Sequence, residues 1–298
     1  MSSSSLLWLN GVLALMMFGI ALNLRLSDFQ RVLRYPKGVL TGLVAQFVLL
    51  PAFTFAATML LPIPAEIALG LLLVASCPGG SFSNIVTYLA AGNAALSVSM
   101  TAVASLAATV LTPFNFMLYA SLNPATAALL QSIAVPAEQL YLVVGLVLAL
   151  PLALGLMVGR IAPAWAVRME PWFRHGSLLA LFGFVALALA SNWAQFVADA
   201  DWYLLAVVAH NAFALLLGFS AARLMQLNRA DQRAITFEVG LQNSGLGLGI
   251  IFTFFSGLGE MAIIAAGWGI CHLIAGMSLC FFWQARDRKR ALAELAHG

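Results

Sequence analysis

Long apolar stretches alternate with short polar or charged loops along the whole chain. A membrane-spanning helix needs about 20 mostly apolar residues. Division of the chain at its charged and Pro- or Gly-rich loops gives nine such stretches: 6–24, 38–61, 66–91, 94–120, 137–159, 177–198, 202–222, 234–257 and 261–283. The pattern predicts an all-α polytopic membrane protein with nine transmembrane helices.

The composition agrees with a surface that faces lipid. Of the 298 residues, 62% are hydrophobic and 8% are charged, whereas soluble domains carry about a quarter charged residues. These proportions exclude a water-soluble enzyme. The net charge of +3 does not indicate nucleic-acid binding, because the basic residues lie in short clusters between apolar stretches, as membrane topology requires.

The basic residues predict an orientation, because all 14 of them follow odd-numbered spans. They are Arg25, Arg31, Arg34 and Lys37; Arg160, Arg168 and Arg174; Arg223, Arg229 and Arg233; and Arg286, Arg288, Lys289 and Arg290. By the positive-inside rule this side is cytoplasmic. The loops of the opposite side carry Glu66, Glu138, Asp199, Asp201 and Glu260, and no cation. We expect the N-terminus outside and the C-terminus in the cytoplasm.

Two spans are interrupted near their middle. In span three, residues 77–84 contain a Pro followed by two Gly, which stops a helix. In span eight, residues 238–245 hold Gly on both sides of a polar run. Freed backbone groups at membrane depth are tolerated only where they line a cavity or meet protein partners. Both breaks should therefore meet in the interior; a simple kink and glycine-based helix packing are the alternative.

The spacing of the broken spans predicts an internal repeat. Spans three and eight are five apart, so the same local feature crosses the membrane in opposite directions. Paired interrupted segments of this kind indicate inverted-topology repeats with a substrate site near the midplane. Spans one to four would match spans six to nine, and span five would be the counterpart of a first helix that this chain is expected to lack.

Glu238 is the one acidic residue deep inside an apolar span. An intramembrane carboxylate usually marks an ion or proton pathway, although it can also be a protonated or hydrogen-bonded structural group. Hard cations prefer oxygen ligands, and the breaks and neighbouring spans supply them. The candidate oxygen ligands are Ser83, Asn84, Gln242, Asn243, Gln46, Ser97 and Thr101. Ser97 and Thr101 are four residues apart and so share a helix face.

Histidines form the other polar intrusions. His210, followed by Asn211, lies in span seven and His272 in span nine. Each can be a satisfied interhelical hydrogen-bond donor or a substrate contact. His272 is the better substrate candidate, because span nine directly follows the broken span eight.

At the two breaks the sequence resembles the bile acid:sodium symporter family. The stretches that carry the resemblance are CPGGSFSNIVTYLAAGNAALSVSMT at 77–101 and TFEVGLQNSGLGLGI at 236–250, supported by MMFGIALNL at 16–24, VAQFVLLP at 44–51 and AHNAFALLLGF at 209–219. The resemblance implies a core domain, whose two helix pairs cross at their unwound centres, packed on a panel domain. The panel would comprise 6–61 and 137–198, including part of span two. The core would comprise 38–120 and 202–283, with the broken helices 66–91 and 234–257.

The resemblance also implies site residues and two sodium ions. The first sodium site would consist of Ser83, Asn84, Ser97, Thr101 and Glu238. The second would consist of Gln46, Gln242, Glu238 and the carbonyls of Val239 and Leu241. Substrate contacts would fall on Ser81, Asn243 and His272. One departure is Ala91, which stands where family members usually have a basic residue.

We therefore expect a transporter, not an enzyme, in the inner membrane of a bacterium, surrounded by lipid. It would couple sodium influx to uptake of a bile acid-like anion or a small carboxylate such as pantoate or a 2-keto acid, by alternating access. One alternative is a proton-coupled antiporter, although such proteins tend to place paired aspartates at the crossing and no Asp lies inside a span. The other is an intramembrane serine protease built on Ser81 and His272.

Overall fold

The computed structural model describes residues 3–22, 28, 30, 36–133, 137–255 and 257–297. These residues form helices and contain no strand. The helices are α1 (Ser3–Leu22), α2 (Pro36–Leu60), α3 (Ala65–Ser76), α4 (Ser81–Leu89), α5 (Ala94–Leu122), α6 (Pro124–Ile133), α7 (Ala137–Ile161), α8 (Pro163–Ser191), α9 (Trp193–Ala198), α10 (Ala200–Leu224), α11 (Arg229–Gly240), α12 (Ser244–Phe254) and α13 (Gly259–His297). The all-helical class is confirmed.

Within the described residues, 4 helices are each long and apolar enough to cross a membrane. They are α2, α5, α10 and α13. The count of nine spans stays a prediction. Of the basic residues that led to the expected orientation, Arg25, Arg31 and Arg34 lie outside the described residues.

Both predicted interruptions are present. Helix α3 ends at Ser76 and α4 begins at Ser81. Helix α11 ends at Gly240 and α12 begins at Ser244. Spans three and eight are therefore each two short helices, and between them the N–H groups of Gly80 and Asn243 donate to carbonyls of the other broken span.

Other elements differ from the sequence prediction. Helix α8 begins at Pro163 instead of near residue 177, and α6 occupies a segment predicted as a loop. The end of the predicted span six forms a separate helix, α9, after α8 ends at Ser191. Pro is favourable at a first helical position, and α6 is rich in Ala. Helix α13 runs on from residue 283 to His297 because its charged extension has no Gly or Pro before that point and consists mostly of good helix formers.

The short helices next to the breaks lie at the centre of the bundle. Residues 67–76 of α3 and 244–252 of α12 are all buried. Helix α3 packs between α5 and α13, and α12 packs against α13 and α1. Helix α11 packs along α10 and also contacts α4 and α5. This arrangement brings the polar ends of four short helices together in the interior.

Candidate functional site

The two breaks meet and pair through their backbones. Gly79 forms an antiparallel bridge with Gln242. The Gly80 N–H donates to the Leu241 carbonyl at 2.8 Å, and the Asn243 N–H donates to the Pro78 carbonyl at 2.9 Å. Groups freed by each interruption thus satisfy one another, and the prediction that the breaks meet is confirmed. We call the paired segments, residues 77–80 and 241–243, the crossing.

Glycine is required at position 79 by close approach. A Cβ atom there would lie 2.5 Å from Glu238 Oε1 and 2.8 Å from the Glu238 carbonyl oxygen. Real Cβ atoms essentially never make contacts this short, and although a carboxylate could turn aside, the backbone carbonyl of Glu238 could not. Gly79 therefore allows the Glu238 carboxylate to sit directly beside the crossing.

Three hydroxyls converge on the Glu238 carboxylate. Ser83 Oγ donates to Oε2 at 2.6 Å, Thr101 Oγ1 lies 2.8 Å from Oε1, and Ser97 Oγ lies 3.4 Å from Oε2. Helix α4 supplies Ser83, while α5 supplies Ser97 and Thr101 from one face, as their spacing predicts. Glu238 is 1% exposed, so a negative charge on its carboxylate is stabilised by these contacts and not by bulk water.

This group of oxygens offers more hydrogen-bond acceptors than its hydroxyl groups have hydrogens to donate. Besides Glu238, Thr101 Oγ1 lies 3.1 Å from Asn84 Oδ1 and 3.1 Å from the Ser97 carbonyl oxygen. A hydroxyl carries one hydrogen and can donate to only one of these three acceptors. Ser97 Oγ likewise lies 2.7 Å from Asn84 Oδ1 as well as near Glu238. We call Ser83, Asn84, Ser97, Thr101 and Glu238 the Glu238 cluster; a small cation would relieve its excess of acceptors.

A second polar group, Gln46 with Gln242, contacts the crossing. Gln46 Nε2 donates to the Cys77 carbonyl and to Gln242 Oε1, both at 2.8 Å, and Gln242 Nε2 donates to the Val239 carbonyl at 2.8 Å. These acceptors fix the orientation of both amides. Gln46 Oε1 is consequently left as a buried acceptor without a hydrogen-bond donor. The Leu241 carbonyl, expected at the same site, accepts the Gly80 N–H and retains a second lone pair.

A π-helical turn in α2 carries Gln46. The turn covers Ala45–Leu49 and is closed by a bond from the Leu50 N–H to the Ala45 carbonyl. Pro51, which has no N–H, stands four residues after Phe47, so the Phe47 carbonyl lacks its usual helical donor. Asn115 Nδ2 of α5 donates to that carbonyl at 2.8 Å. The sequence alone did not predict this role of Asn115.

The three predicted substrate contacts are not equivalent. Ser81 is exposed at the first position of α4, and Asn243 is half-buried before α12. Asn243 Oδ1 accepts the Leu246 N–H at 3.1 Å, so its Nδ2 is the group left for a ligand. His272 is 3% exposed, and its Nδ1 lies 3.4 Å from Ser244 Oγ. Among the described residues no hydrogen bond joins Ser81 to His272.

Two polar residues of α10 have structural partners. Asn211 Nδ2 donates to the freed Gly240 carbonyl at 2.8 Å. Trp268 Nε1 donates to His210 Nδ1 at 2.9 Å, and His210 Nε2 lies 2.8 Å from Thr54 Oγ1. Since indole N–H can only donate, Nδ1 is the unprotonated nitrogen and His210 is a neutral Nε2–H donor to Thr54. Of the two roles open to His210, these contacts support the interhelical donor.

Sequence reasoning missed Thr87, which is fully buried beside the Glu238 cluster. Its hydroxyl lies 3.4 Å from Ser97 Oγ. Thr87 is four residues after Ser83 and three after Asn84, so the helical spacing that identified Ser97 and Thr101 would also have identified it. Across the described part of the chain, no group of three or more His, Cys, Asp or Glu side chains is arranged to hold a metal ion.

Comparisons with known proteins give a consistent result. The chain matches the Sodium Bile acid symporter family over residues 11–199. It is 34% identical over 281 residues to the uncharacterized sodium-dependent transporter YocS of Bacillus subtilis, covering 93% of this chain and 83% of that protein. It is 30% identical over 269 residues to the probable sodium/metabolite cotransporter BASS1, chloroplastic, of rice, covering 90% of this chain and 64% of the rice protein.

A mammalian relative extends the same pattern. The sodium-dependent organic anion transporter of mouse is 26% identical over 289 residues, covering 94% of this chain and 74% of the mouse protein. The match to the family covers well over half of the chain, and the Bacillus relative extends it across the second break. The chain belongs to the sodium bile acid symporter family, and it is therefore a membrane transporter and not an enzyme.

Proposed function

We propose that the protein is a secondary active symporter that couples sodium influx to uptake of an organic anion by alternating access. The observation that carries the proposal is the excess of oxygen acceptors in the buried Glu238 cluster. A buried carboxylate is costly unless its charge is compensated, and no basic side chain contacts it in the described structure. A hard cation among these oxygens supplies that compensation.

Two sodium ions are proposed for each transport cycle. The first is held by the Glu238 cluster. The second is held by Gln46, Gln242, Glu238 and the carbonyls of Val239 and Leu241, and the orphaned Gln46 Oε1 supports this assignment. Because Glu238 contributes to both sites, one negative charge faces two positive charges, and an anionic substrate brings the complex closer to neutrality.

The anion is proposed to bind where α4 and α12 begin. The N–H groups of Ser81 and Phe82 in α4 and of Gly245 in α12 have no hydrogen-bond acceptor in the described structure. Two helix N-termini that meet at the crossing favour a negative group. Ser81, the Asn243 Nδ2 and His272 are the proposed side-chain contacts. A small carboxylate such as pantoate or a 2-keto acid, or a bile acid-like anion, fits this chemistry.

The membrane arrangement is part of the same proposal. We infer nine spans in two inverted repeats, with the N-terminus outside and the C-terminus in the bacterial cytoplasm. The panel comprises 6–61 and 137–198, and the core comprises 38–120 and 202–283. The packing of α1 against α7 and α8 supports the panel, and the contacts of α3 with α13 and of α4 with α11 support the core.

The proposed stoichiometry gives a substantial driving force. A tenfold sodium gradient contributes about 1.4 kcal/mol for each ion, hence about 2.8 for two. With a monoanion, one net positive charge enters, which adds about 2.3 kcal/mol at 100 mV. The total of about 5 kcal/mol supports accumulation by three to four decades.

Uptake into proteoliposomes tests the function. A panel of radiolabelled carboxylates is offered with an inward sodium gradient, and the control replaces sodium by choline at the same ionic strength. Sodium-driven uptake that increases with an inside-negative potential supports the proposal. Uptake that is unchanged in choline contradicts it, and uptake driven instead by a proton gradient would favour the proton-coupled alternative.

A further inference from the structure

The position of α4 relative to α11 determines the geometry of the Glu238 cluster. Helix α4 has 9 residues and carries Ser83 and Asn84, whereas Glu238 lies on α11. A helix this short is marginal by itself, so bonds from other helices must hold it in place. The following inference rests on the proposed sodium site.

Near its beginning, α4 is joined to the second broken helix through the crossing and through Ser83. Its last turn ends in a Schellman motif, in which the Gly92 N–H donates to the Thr87 carbonyl at 2.8 Å and the Ala91 N–H donates to the Tyr88 carbonyl at 3.1 Å. Ala91 has a φ of 52°, a left-handed conformation that is unfavourable for a non-Gly residue. The motif leaves the carbonyls of Leu89 and Ala90 at the helix end.

Two side chains from other helices donate hydrogen bonds to those carbonyls. Gln284 Nε2 of α13 donates to the Leu89 carbonyl at 2.7 Å. Arg233 Nη1 of α11 donates to the Ala90 carbonyl at 2.6 Å. A cation at a helix C-terminus is also favoured by the helix dipole. Every carbonyl at this end of α4 therefore has a donor.

Arg233 is itself held in one orientation. Its other guanidinium nitrogen, Nη2, lies 2.7 Å from an Asp287 carboxylate oxygen, and its guanidinium carbon lies 5.4 Å from the centre of the Trp283 ring. The Arg233 side chain is 11% exposed. A planar guanidinium fixed on three sides is a rigid connection between α4, α11 and α13.

Helices α4 and α11 are thus joined at two levels. Ser83 meets Glu238 at one level, and Ala90 meets Arg233 at the other. At about 1.5 Å per residue the two levels are roughly 10 Å apart along α4. Because the chain runs from Ser83 to Ala90 but from Glu238 back to Arg233, the helices are antiparallel here. Two attachments fix both the distance and the tilt, which a single contact at the ligands would not.

We propose that Arg233 and Gln284 are positioning residues of the sodium site: they hold the end of α4 so that Ser83 and Asn84 stay in register with Glu238. Neither residue contacts the ion. Loss of either donor should let α4 shift and so lower the affinity for sodium. Because the sodium ligands themselves remain present, maximal uptake at high sodium should change little.

The decisive experiment uses the full-length protein with Arg233→Gln and the matched control Arg229→Gln. Arg229 is an exposed basic residue at the start of the same helix. Equilibrium binding of ²²Na⁺ to purified protein and the sodium dependence of uptake in proteoliposomes are both measured. For Arg233→Gln we expect the half-saturating sodium concentration to rise about tenfold, with maximal uptake at high sodium changed by less than about twofold. Arg229→Gln should match the wild type.

Two further variants separate the contacts of Arg233. Asp287→Asn keeps the bond to the Ala90 carbonyl and should shift sodium half-saturation by no more than about twofold. Gln284→Leu removes the donor to Leu89 and should raise it about threefold. Arg233→Lys keeps the charge but not the fork, so its sodium affinity should lie between those of the wild type and Arg233→Gln.

Failure of this inference is distinct from failure of the proposed function. If the wild type binds no sodium, the proposed function is wrong. If the wild type binds sodium and Arg233→Gln binds it with unchanged affinity, the positioning role is wrong. If Arg233→Gln does not fold, Gln284→Leu decides the question, and unchanged sodium affinity in that variant overturns the proposal.

Discussion

Replacement of Glu238 by Gln is the sharpest test of the ion site. The substitution keeps the size of the side chain and one oxygen acceptor but removes the charge. Ser83, Ser97 and Thr101 retain a hydrogen-bonding partner, so the fold around the cluster should survive. The Ser83 Oγ to Glu238 Oε2 distance of 2.6 Å is that of a strong hydrogen bond to a carboxylate.

The expected loss of sodium affinity follows from Coulomb's law. For a cation about 2.4 Å from a carboxylate oxygen and an effective dielectric constant of about 20, the attraction is about 7 kcal/mol. If the neutral Gln oxygen recovers half of it, about 3.5 kcal/mol is lost, which corresponds to more than a hundredfold in affinity. Both proposed sites share Glu238, so neither should fill at ordinary sodium concentrations.

The assay is ²²Na⁺ binding to purified protein together with sodium-dependent uptake. A matched control is Glu66→Gln, which changes a carboxylate at the beginning of α3 whose Oε2 accepts the Glu260 N–H at 3.2 Å and which lies outside the site. The control should bind sodium as the wild type does. A Glu238→Gln protein with sodium affinity within about threefold of the wild type would refute the reasoning and make Glu238 a structural group.

Three further predictions concern neighbouring residues. Asn243→Ala should lower the affinity for a carboxylate substrate about tenfold and leave ²²Na⁺ binding unchanged, and Asn243→Asp, which keeps the helix cap but repels an anion, should lower substrate affinity further. Equal substrate affinity of the wild type and both variants by calorimetry would exclude a contact between Asn243 and the substrate. Asn115→Leu leaves the Phe47 carbonyl without its donor and should raise half-saturating sodium several-fold, whereas lower thermal stability with unchanged sodium dependence would make Asn115 only a packing residue. Trp268→Phe removes the donor to His210 and should lower the free energy of unfolding by about 1–3 kcal/mol without changing sodium affinity; an unchanged melting temperature would contradict the assigned tautomer.

The sequence predicted the features of the site that have local causes. The Pro78, Gly79 and Gly80 run stops a helix wherever it occurs, and the residues after it in α4 are polar. Ser97 and Thr101 could be assigned to one face of α5 because of their spacing alone. The meeting of the two breaks followed from a general requirement that freed backbone groups find partners.

The features that sequence could not predict depend on contacts between distant residues. The sequence indicates only that Arg233 marks the cytoplasmic side of the membrane, whereas its bond to the Ala90 carbonyl joins positions 143 residues apart. The π-helical turn around Gln46 has no sequence signature beyond Pro51, because its stability depends on Asn115 of another helix. The resemblance to a known family added the assignment of ligands, and those assignments stay predictions.

The backbone pairing at the crossing has a consequence for synthesis of the protein. Gly79 bonds with a segment about 160 residues later in the chain, and at about 5–20 residues per second a ribosome needs roughly 10–30 s to make that segment. During this interval the first break has emerged without its main-chain partners. The nascent first half therefore has to wait, with this break hydrated or shielded by the insertion machinery, until the second half arrives. We expect truncation before residue 241 to leave an inserted but protease-sensitive intermediate.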